Sequence, residues 1–447
     1  MLNFKNRLLA LLWLPCVLFA TTMVVVPLFM EMNRPPEGHG TMDSVAIYVA
    51  VDAGQSLVFA TDKDDNFVEV HSPITNTFLG KIGGTGTGAG QLQYPNGVGV
   101  AYGVTTGSGK KDLLFVVERD NHRASIFSLP DRSFIAHFGG DDLTEPYGIA
   151  FYWQGNELQA WITETDTTPD RVFVYRLVPE GTGLKGELSF SFPTAGRLES
   201  IVIDPVAQRA LICDEILERD VMVYDLQGNL TTRFGKGLFA NQPEGIVIYD
   251  LGNGEGYIIV SDQNVEPYAE YEVFDRKTYQ SLGRFSGETK TTDGIALTQA
   301  ALPNLPQGSF YAMHSDDVVH VYDWADIAQA LNLDTKIISP RLGTGVAAPR
   351  QPLLPDAFEV LSNYPNPFNP TTKISYRVDR LSPVLLEVYT VTGERVATLV
   401  DQVQSEGSYE VRWEGNHTTG ERVASGVYWI RLAVGEMARA RKIMLMK

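Results

Sequence analysis

Carboxylates recur at one kind of place in this chain. Each stands at the start of a short apolar alternation, close to a glycine or serine: Asp43 in "MDSVAIY", Glu145 in "EPYGIAF", Glu199 in "LESIVID", Glu244 in "PEGIVIYD" and Asp293 in "TDGIAL". Asp214 and Glu215 end the strand-like "ALICDE". Brought to one place, such groups repel one another unless a cation or protons neutralise them. Carboxylate oxygens in number suit Ca2+, which takes roughly six to eight hard oxygen ligands. The sequence offers no His/Cys cluster with zinc-ligand spacing. Lys63 in "TDK", Arg119 in "VERDNHR" with His122 and Arg123 beside it, and Tyr147 in "EPYG" occupy neighbouring turns. Cations next to metal-bridged carboxylates fit a phosphate-binding mouth. Spacing alone reads them as solvated turn residues on a propeller rim.

What would bring these residues together is a repeat. Counting from Gly97 to Gly148, Ser200, Gly245 and Gly294 gives spacings of 51, 52, 45 and 49 residues. Each phrase is followed by a β-rich strand, a polar turn and a second strand, as in "DLLFVVERDNHRASIFSL" and "RALICDEILERDVMVYDLQGN". Most units close with an aromatic-glycine strand such as "FIAHFGG" or "LGRFSG". A period of about 50 residues built from four short strands is the pattern of a propeller blade. Six units fit between residues 42 and 335, which predicts an all-β, six-bladed propeller; helical periodicity is confined to "WADIAQAL" just after the last unit. In such a ring the residue before each innermost strand points into the shared mouth. The "GTGTGAG" run lacks the spacing and following helix of a nucleotide fingerprint and reads as an inter-strand loop.

The 447 residues carry a formal net charge of −18, which argues against a nucleic-acid partner. Lys5 and Arg7 precede an apolar run from Leu8 to Met30, so residues 1–30 read as a signal peptide or signal anchor and the chain as exported. No later stretch is apolar enough to span a bilayer, so no transmembrane segment is expected after signal cleavage. Cys16 lies in that leader, leaving Cys213 as a lone, strand-borne apolar filler.

A Pro/Gly-rich stretch over 336–358 reads as a linker, and residues 359–447 as a small β-sandwich. "NYPNPFNPTTKISYRV", "VYTVTGERVATLV", "WEGNHTTGERVASGVYWIRL" and the terminal "KIMLMK" resemble the sorting domain of the type IX secretion system. That resemblance implies an address read by outer-membrane secretion machinery, and an extracellular or cell-surface protein.

Residues 43–331 resemble the β-propeller phytases, through "ATDKDDNFVEV", "EPYGIAFY", "LESIVIDP", "ALICDE", "PEGIVIYDLGNGEGYIIVSDQN", "YEVFDR" and "TDGIAL". The resemblance implies a Ca2+-dependent phosphomonoesterase acting on phytate or related phosphate esters. It assigns Glu199, Glu215 and Glu244 to catalysis, and Asp43, Glu199, Asp214, Glu215, Glu244, Asp262 and Asp293 to several Ca2+ ions. It assigns Lys63, Arg119, Tyr147 and Gln263 to the substrate, with Asn264 at a matching place. In the second blade "PNGVGV" puts Gly99 where the family has an acid, and Arg171 stands nearest the lysine expected in the third. "GGTGTGAGQLQYPNGVGV" and "FGGDDLTEPYGIAF" also resemble NHL-type propellers. That alternative implies a non-catalytic surface platform for a glycan, peptide or protein.

Overall fold

The computed structural model describes residues 23–338 and 358–446, apart from 36, 39, 166, 264–266, 379–381, 391–394, 406 and 435–436. Most of the leader, the 339–357 part of the linker and Asn264 therefore lie outside the described residues. The chain separates into two compact units, Met1–Ala348 and Pro349–Lys447.

The first unit is a six-bladed propeller. Blade one comprises Met42–Tyr48, Leu57–Asp62, Phe67–His71 and Phe78–Gly83, each strand pairing antiparallel with the next. Blades two to five repeat the arrangement, with innermost strands Pro95–Thr106, Pro146–Gln154, Leu198–Asp204 and Gln242–Gly252. Blade six has Ile295–Thr298 innermost, then Ser309–His314 and Val318–Asp323. The six innermost strands touch in a closed cycle, Ile295–Thr298 returning to Met42–Tyr48. Alternating apolar residues put one face of each sheet against the next: Leu113, Phe115 and Ile126 of blade two pack with Ile162, Phe173 and Tyr175 of blade three.

Blade six takes its outermost strand from the other end of the propeller sequence. Met30–Glu31 pairs antiparallel with Val318–Asp323, and Met23–Val25 adds a fifth, parallel strand to blade five. Val26 and Met32 are buried. The end of the apolar run expected to belong to a leader over 1–30 is thus built into the propeller, which begins before the expected residue 42. Backbone pairing and two buried side chains hold it there. Among the described residues no helix is long and apolar enough to cross a membrane.

The glycine of each repeated phrase has a packing reason. A Cβ on Gly97 would sit 2.3 Å from the Tyr147 carbonyl oxygen, and one on Gly294 2.7 Å from Ser44 Cα. The backbone at the start of each blade therefore lies directly against that of the next. Hydroxyls from the second strands pin the same turns: Thr61 accepts from Ser44 N–H at 2.9 Å, Thr163 from Gly148 N–H at 2.7 Å and Ser261 from Gly245 N–H at 2.8 Å.

The second unit has two sheets. One orders Phe358–Tyr364, Thr372–Val378 and Gly407–Trp413, and the other Arg395–Gln404, Ser382–Thr390, Gly426–Val434 and Met437–Leu445. Between them Ile374, Tyr376, Leu386, Val388, Trp413, Ile430 and Leu432 form the core of a small β-sandwich.

A carboxylate cluster in the propeller mouth

The packed glycines and serines give the six blades a common register. The residue before each one is Asp43, Asn96, Tyr147, Glu199, Glu244 and Asp293 in blade order, and these form the inner ring of the mouth. A second rank comes from the turn after each second strand. Lys63, Arg119, Thr165 and Glu215 each donate a backbone N–H back to the turn before the innermost strand, to Thr41, Tyr94, Glu145 and Arg197 carbonyls. Gln263 pairs with Gln242 in the same register, and Ser315 bonds the Thr291 carbonyl.

The acid that precedes this rank is structural. Asp62 accepts from Gly40 and Asp65 N–H, Glu118 from Gln93 N–H and Glu164 from Thr144 and Glu145 N–H. Asp214 and Asp262 belong to this set, against their expected place among the metal ligands. Asp214 accepts from Arg197, Leu217 and Glu218 N–H and pairs with Arg233 at 2.9 Å. Asp262 accepts from Ala240 at 2.6 Å and Asn241 at 3.0 Å. Their oxygens close the turns that carry the mouth residues.

Three expected ligands do converge. One carboxylate oxygen from each of Glu199, Glu215 and Glu244 lies within 4.8 Å of the others. Glu199 and Glu244 are buried, and Gln242 Nε2 donates to Glu215 Oε1 at 2.5 Å. Burial, then Glu244, Glu215, Asp43 and Asp293, pushes the Glu199 carboxyl well above its usual range. Burial, then Asp293, Glu215 and Asp43, does the same to Glu244. Asp293 is pushed up to about 8, by burial first and then by Asp43 and Asp316. Without metal, Glu199, Glu244 and Asp293 therefore hold their protons more tightly than free carboxyls do.

On the opposite side of the mouth, Lys63 Nζ lies 2.7 Å from Asp43 Oδ2 and 4.0 Å from Asp293 Oδ2. The lysine expected to meet substrate is engaged with two ring acids. Tyr147 Oη donates to Asp43 Oδ2 at 3.3 Å. Arg119 stacks on the Tyr94 ring and pairs with Asp120 at 2.9 Å. Gln263 is buried.

Other expectations shift by a few residues. Glu145 lies two positions before the ring, which Tyr147 fills in blade three. Gly99 lies three residues past the ring position of blade two, where a Cβ would meet Phe151 and Ile149, so Asn96 and not a lost acid faces that sector. Arg171 donates to Ser191 on the outermost strand of its blade, away from the mouth. Arg123 is spent on Glu118 at 2.8 Å, and His122 Nδ1 on the Thr144 carbonyl. Two residues were missed: Asn96, visible by aligning "PNG" with "PEG" and "TDG", and Asp316, whose carboxyl burial and Asp43 raise against the pull of Lys63.

The residues fit a hard divalent cation. The converging donors are all carboxylate oxygens, which suits Ca2+ better than zinc. Asn96 is fully buried with neither amide atom bonded, an arrangement that costs several kcal/mol, about the loss of one to two hydrogen bonds, unless an occupant fills the mouth.

Among known proteins, the chain is 24% identical to the 3-phytase of Bacillus subtilis over 242 residues, 51% of this chain and 60% of that protein. The chain thus spans less than two thirds of the length of that relative. Residues 367–436 match the FlgD Ig-like domain family. Solved structures with a similar course include PorZ, a surface component of the type IX secretion system of Porphyromonas gingivalis, at 12% identity and a TM-score of 0.37, covering 90% of this chain and 51% of that one. The hydrazine synthase of Kuenenia stuttgartiensis is 10% identical with a TM-score of 0.41, over 65% of this chain and 97% of that one. Likeness at these scores carries no functional inference.

Proposed function

We propose that the propeller hydrolyses phosphomonoesters, phytate among them, in a Ca2+-dependent reaction. The observation that carries this reading is the Glu199–Glu215–Glu244 cluster, buried at Glu199 and Glu244 and half-buried at Glu215, whose oxygens meet within 4.8 Å with no lysine or arginine in ion-pair reach among the described residues. The 24% identity to a 3-phytase supports it. Ca2+ held there would neutralise phosphate charge and lower the pKa of a bound water.

The chain's own side chains supply the rest of the mouth. Acids dominate blades four and five, whereas Lys63 and Arg119 stand on blades one and two. A phosphate therefore meets the carboxylate sector on one side and the cationic sector on the other. Tyr147, kept protonated by burial and by the charges of Asp43, Glu199, Glu244 and Asp293, stays a hydrogen-bond donor.

The test is phosphate release from phytate by the purified chain, with and without a Ca2+ chelator, repeated with Glu244→Gln. Loss of release in both cases is expected; turnover indifferent to the chelator would exclude the mechanism.

One observation favours a second reading, a non-catalytic surface platform for a glycan, peptide or protein. Both mouth cations already have partners, Lys63 on Asp43 and Arg119 on Asp120. Zero turnover at every Ca2+ concentration would select it. In either case we propose export, with the leader upstream of Met23 and the C-terminal sandwich serving as an address for the outer-membrane secretion machinery. The "NYPNPFNP" phrase and the Ig-like match support that part. Secretion that survives deletion of residues 359–447 would exclude it.

A further inference from the structure

We infer that Lys63 is a resident cation occupying one of two cation positions in the mouth, so that the mouth takes a single divalent ion, at Glu199, Glu215 and Glu244. This rests on the metal reading given above and departs from the several ions that the phytase resemblance implies.

The acids of the mouth fall into two groups. Glu199, Glu215 and Glu244 come from blades four and five, and their oxygens converge. Asp293, Asp316 and Asp43 come from blades six and one, and Lys63 stands among them, 2.7 Å from Asp43 and 4.0 Å from Asp293. The rank that supplies Lys63 in blade one supplies Glu215 in blade four. One structural position thus gives a cation to one half of the mouth and a further ligand to the other.

Lys63 is well fixed. Its N–H donates to the Thr41 carbonyl at 2.8 Å, and the preceding Asp62 is held by two backbone N–H groups. Its side chain is only 15% exposed. Asp43 has both oxygens in use: Oδ2 takes Lys63 and the Tyr147 hydroxyl, and Oδ1 takes the Ser44 hydroxyl at 3.0 Å. A divalent ion between Asp43 and Asp293 would have to share that space with an ammonium group, and like charges so close repel. The blades between the two halves add no charge to the ring, since Asn96 and Tyr147 are neutral. The unbonded, fully buried amide of Asn96 lies next to Asp43 in ring order.

The experiment counts ions rather than turnover. Bound Ca2+ per full-length chain is measured by equilibrium dialysis for the wild type, which binds n ions including any elsewhere in the protein. Glu244→Gln is expected to bind n − 1, and Lys63→Met n + 1, because the emptied position then accepts a metal. Lys63→Arg, which keeps a cation, should stay at n. A Lys63→Met protein that remains at n overturns the inference, as does a fall to n − 2 in Glu244→Gln. An unchanged n in Glu244→Gln overturns the metal reading itself. Should Lys63→Met not fold, Asp293→Asn decides: the count holds at n if Lys63 serves that half and falls if a metal does.

Discussion

The Tyr147 hydroxyl donates to Asp43 Oδ2 at 3.3 Å, so a side chain of the third blade reaches past the second to the first. Tyr147→Phe removes that donor and leaves Asp43 its Lys63 partner. One long hydrogen bond to an acid that remains paired contributes on the order of 1 kcal/mol. Urea unfolding of the metal-free protein should register a loss of about that size. A loss above about 3 kcal/mol would mean that the phenol carries the closure of the ring.

The mouth should make the metal-free protein weaker at alkaline pH. Asp293 has a carboxyl that the fold raises from 3.8 to about 8, through burial, Asp43 and Asp316. The folded state thus binds this proton more tightly than the unfolded state does. Its stabilising effect is complete below the ordinary carboxylate value and is lost as pH rises towards about 8. His320, pushed down from 6.5 to about 4 by burial and His314, acts in the opposite sense below 6.5. Between 6.5 and about 8 the carboxyl therefore stands clear of the histidine. Thermal midpoints without Ca2+ should fall across that window. Those with Ca2+ should hold, since the metal replaces the protons. A metal-free midpoint that climbs there would contradict the buried cluster.

The period of glycines and the strand alternation made six blades legible, because each glycine answers to one backbone contact with the next blade. The same alignment held the ring, but the acids drew attention away from it. Glu145 is a carboxylate two residues short of the mouth, while the neutral Asn96 and Tyr147 occupy it. Asp214 and Asp262 carry the right chemistry for ligands; only coordinates show their oxygens taken by backbone N–H groups. Met23–Val25 and Met30–Glu31 were illegible for another reason. A hydrophobic run long enough for a leader has the same composition as edge strands that complete two blades, and pairing across roughly 290 residues, Met30 to Val321, leaves no local pattern.

Substitution at the packed glycines should separate close approach from mere turn composition. A Cβ on Gly294 would meet Ser44 Cα at 2.7 Å and the Asp43 carbonyl at 2.9 Å, backbone atoms that cannot step aside alone. Gly294→Ala should cost about 2 kcal/mol or more. Gly140, whose Cβ would meet nothing within 4 Å, should tolerate alanine within about 0.5 kcal/mol. Chemical denaturation of the pair checks both, and equal costs would remove the packing explanation for the repeat.

On the far side of the same blades, Arg276 binds blade five to blade four. It is 2% exposed and donates Nε and Nη2 to the two oxygens of Asp204, at 3.0 and 2.7 Å, and Nη1 to Asp250 at 2.5 Å. Burial works against a charged Asp204, yet hydrogen bonding and charge from Arg276 hold its carboxyl below the usual range. Arg276→Met leaves that fully buried carboxylate with Arg209 at 2.9 Å as its one charged partner, beside the Ala207 N–H at 3.1 Å. Breaking a buried pair by removing one partner costs roughly 3–5 kcal/mol, and the remaining arginine sets the expectation at the lower end, about 3 kcal/mol. Because most of that is an uncompensated charge, the Arg276→Met/Asp204→Leu double variant should recover much of the loss despite two substitutions. Unfolding free energies from the four proteins of this cycle supply the check. Additive losses would mean that the arginine acts by filling space between the blades rather than by answering the buried charge.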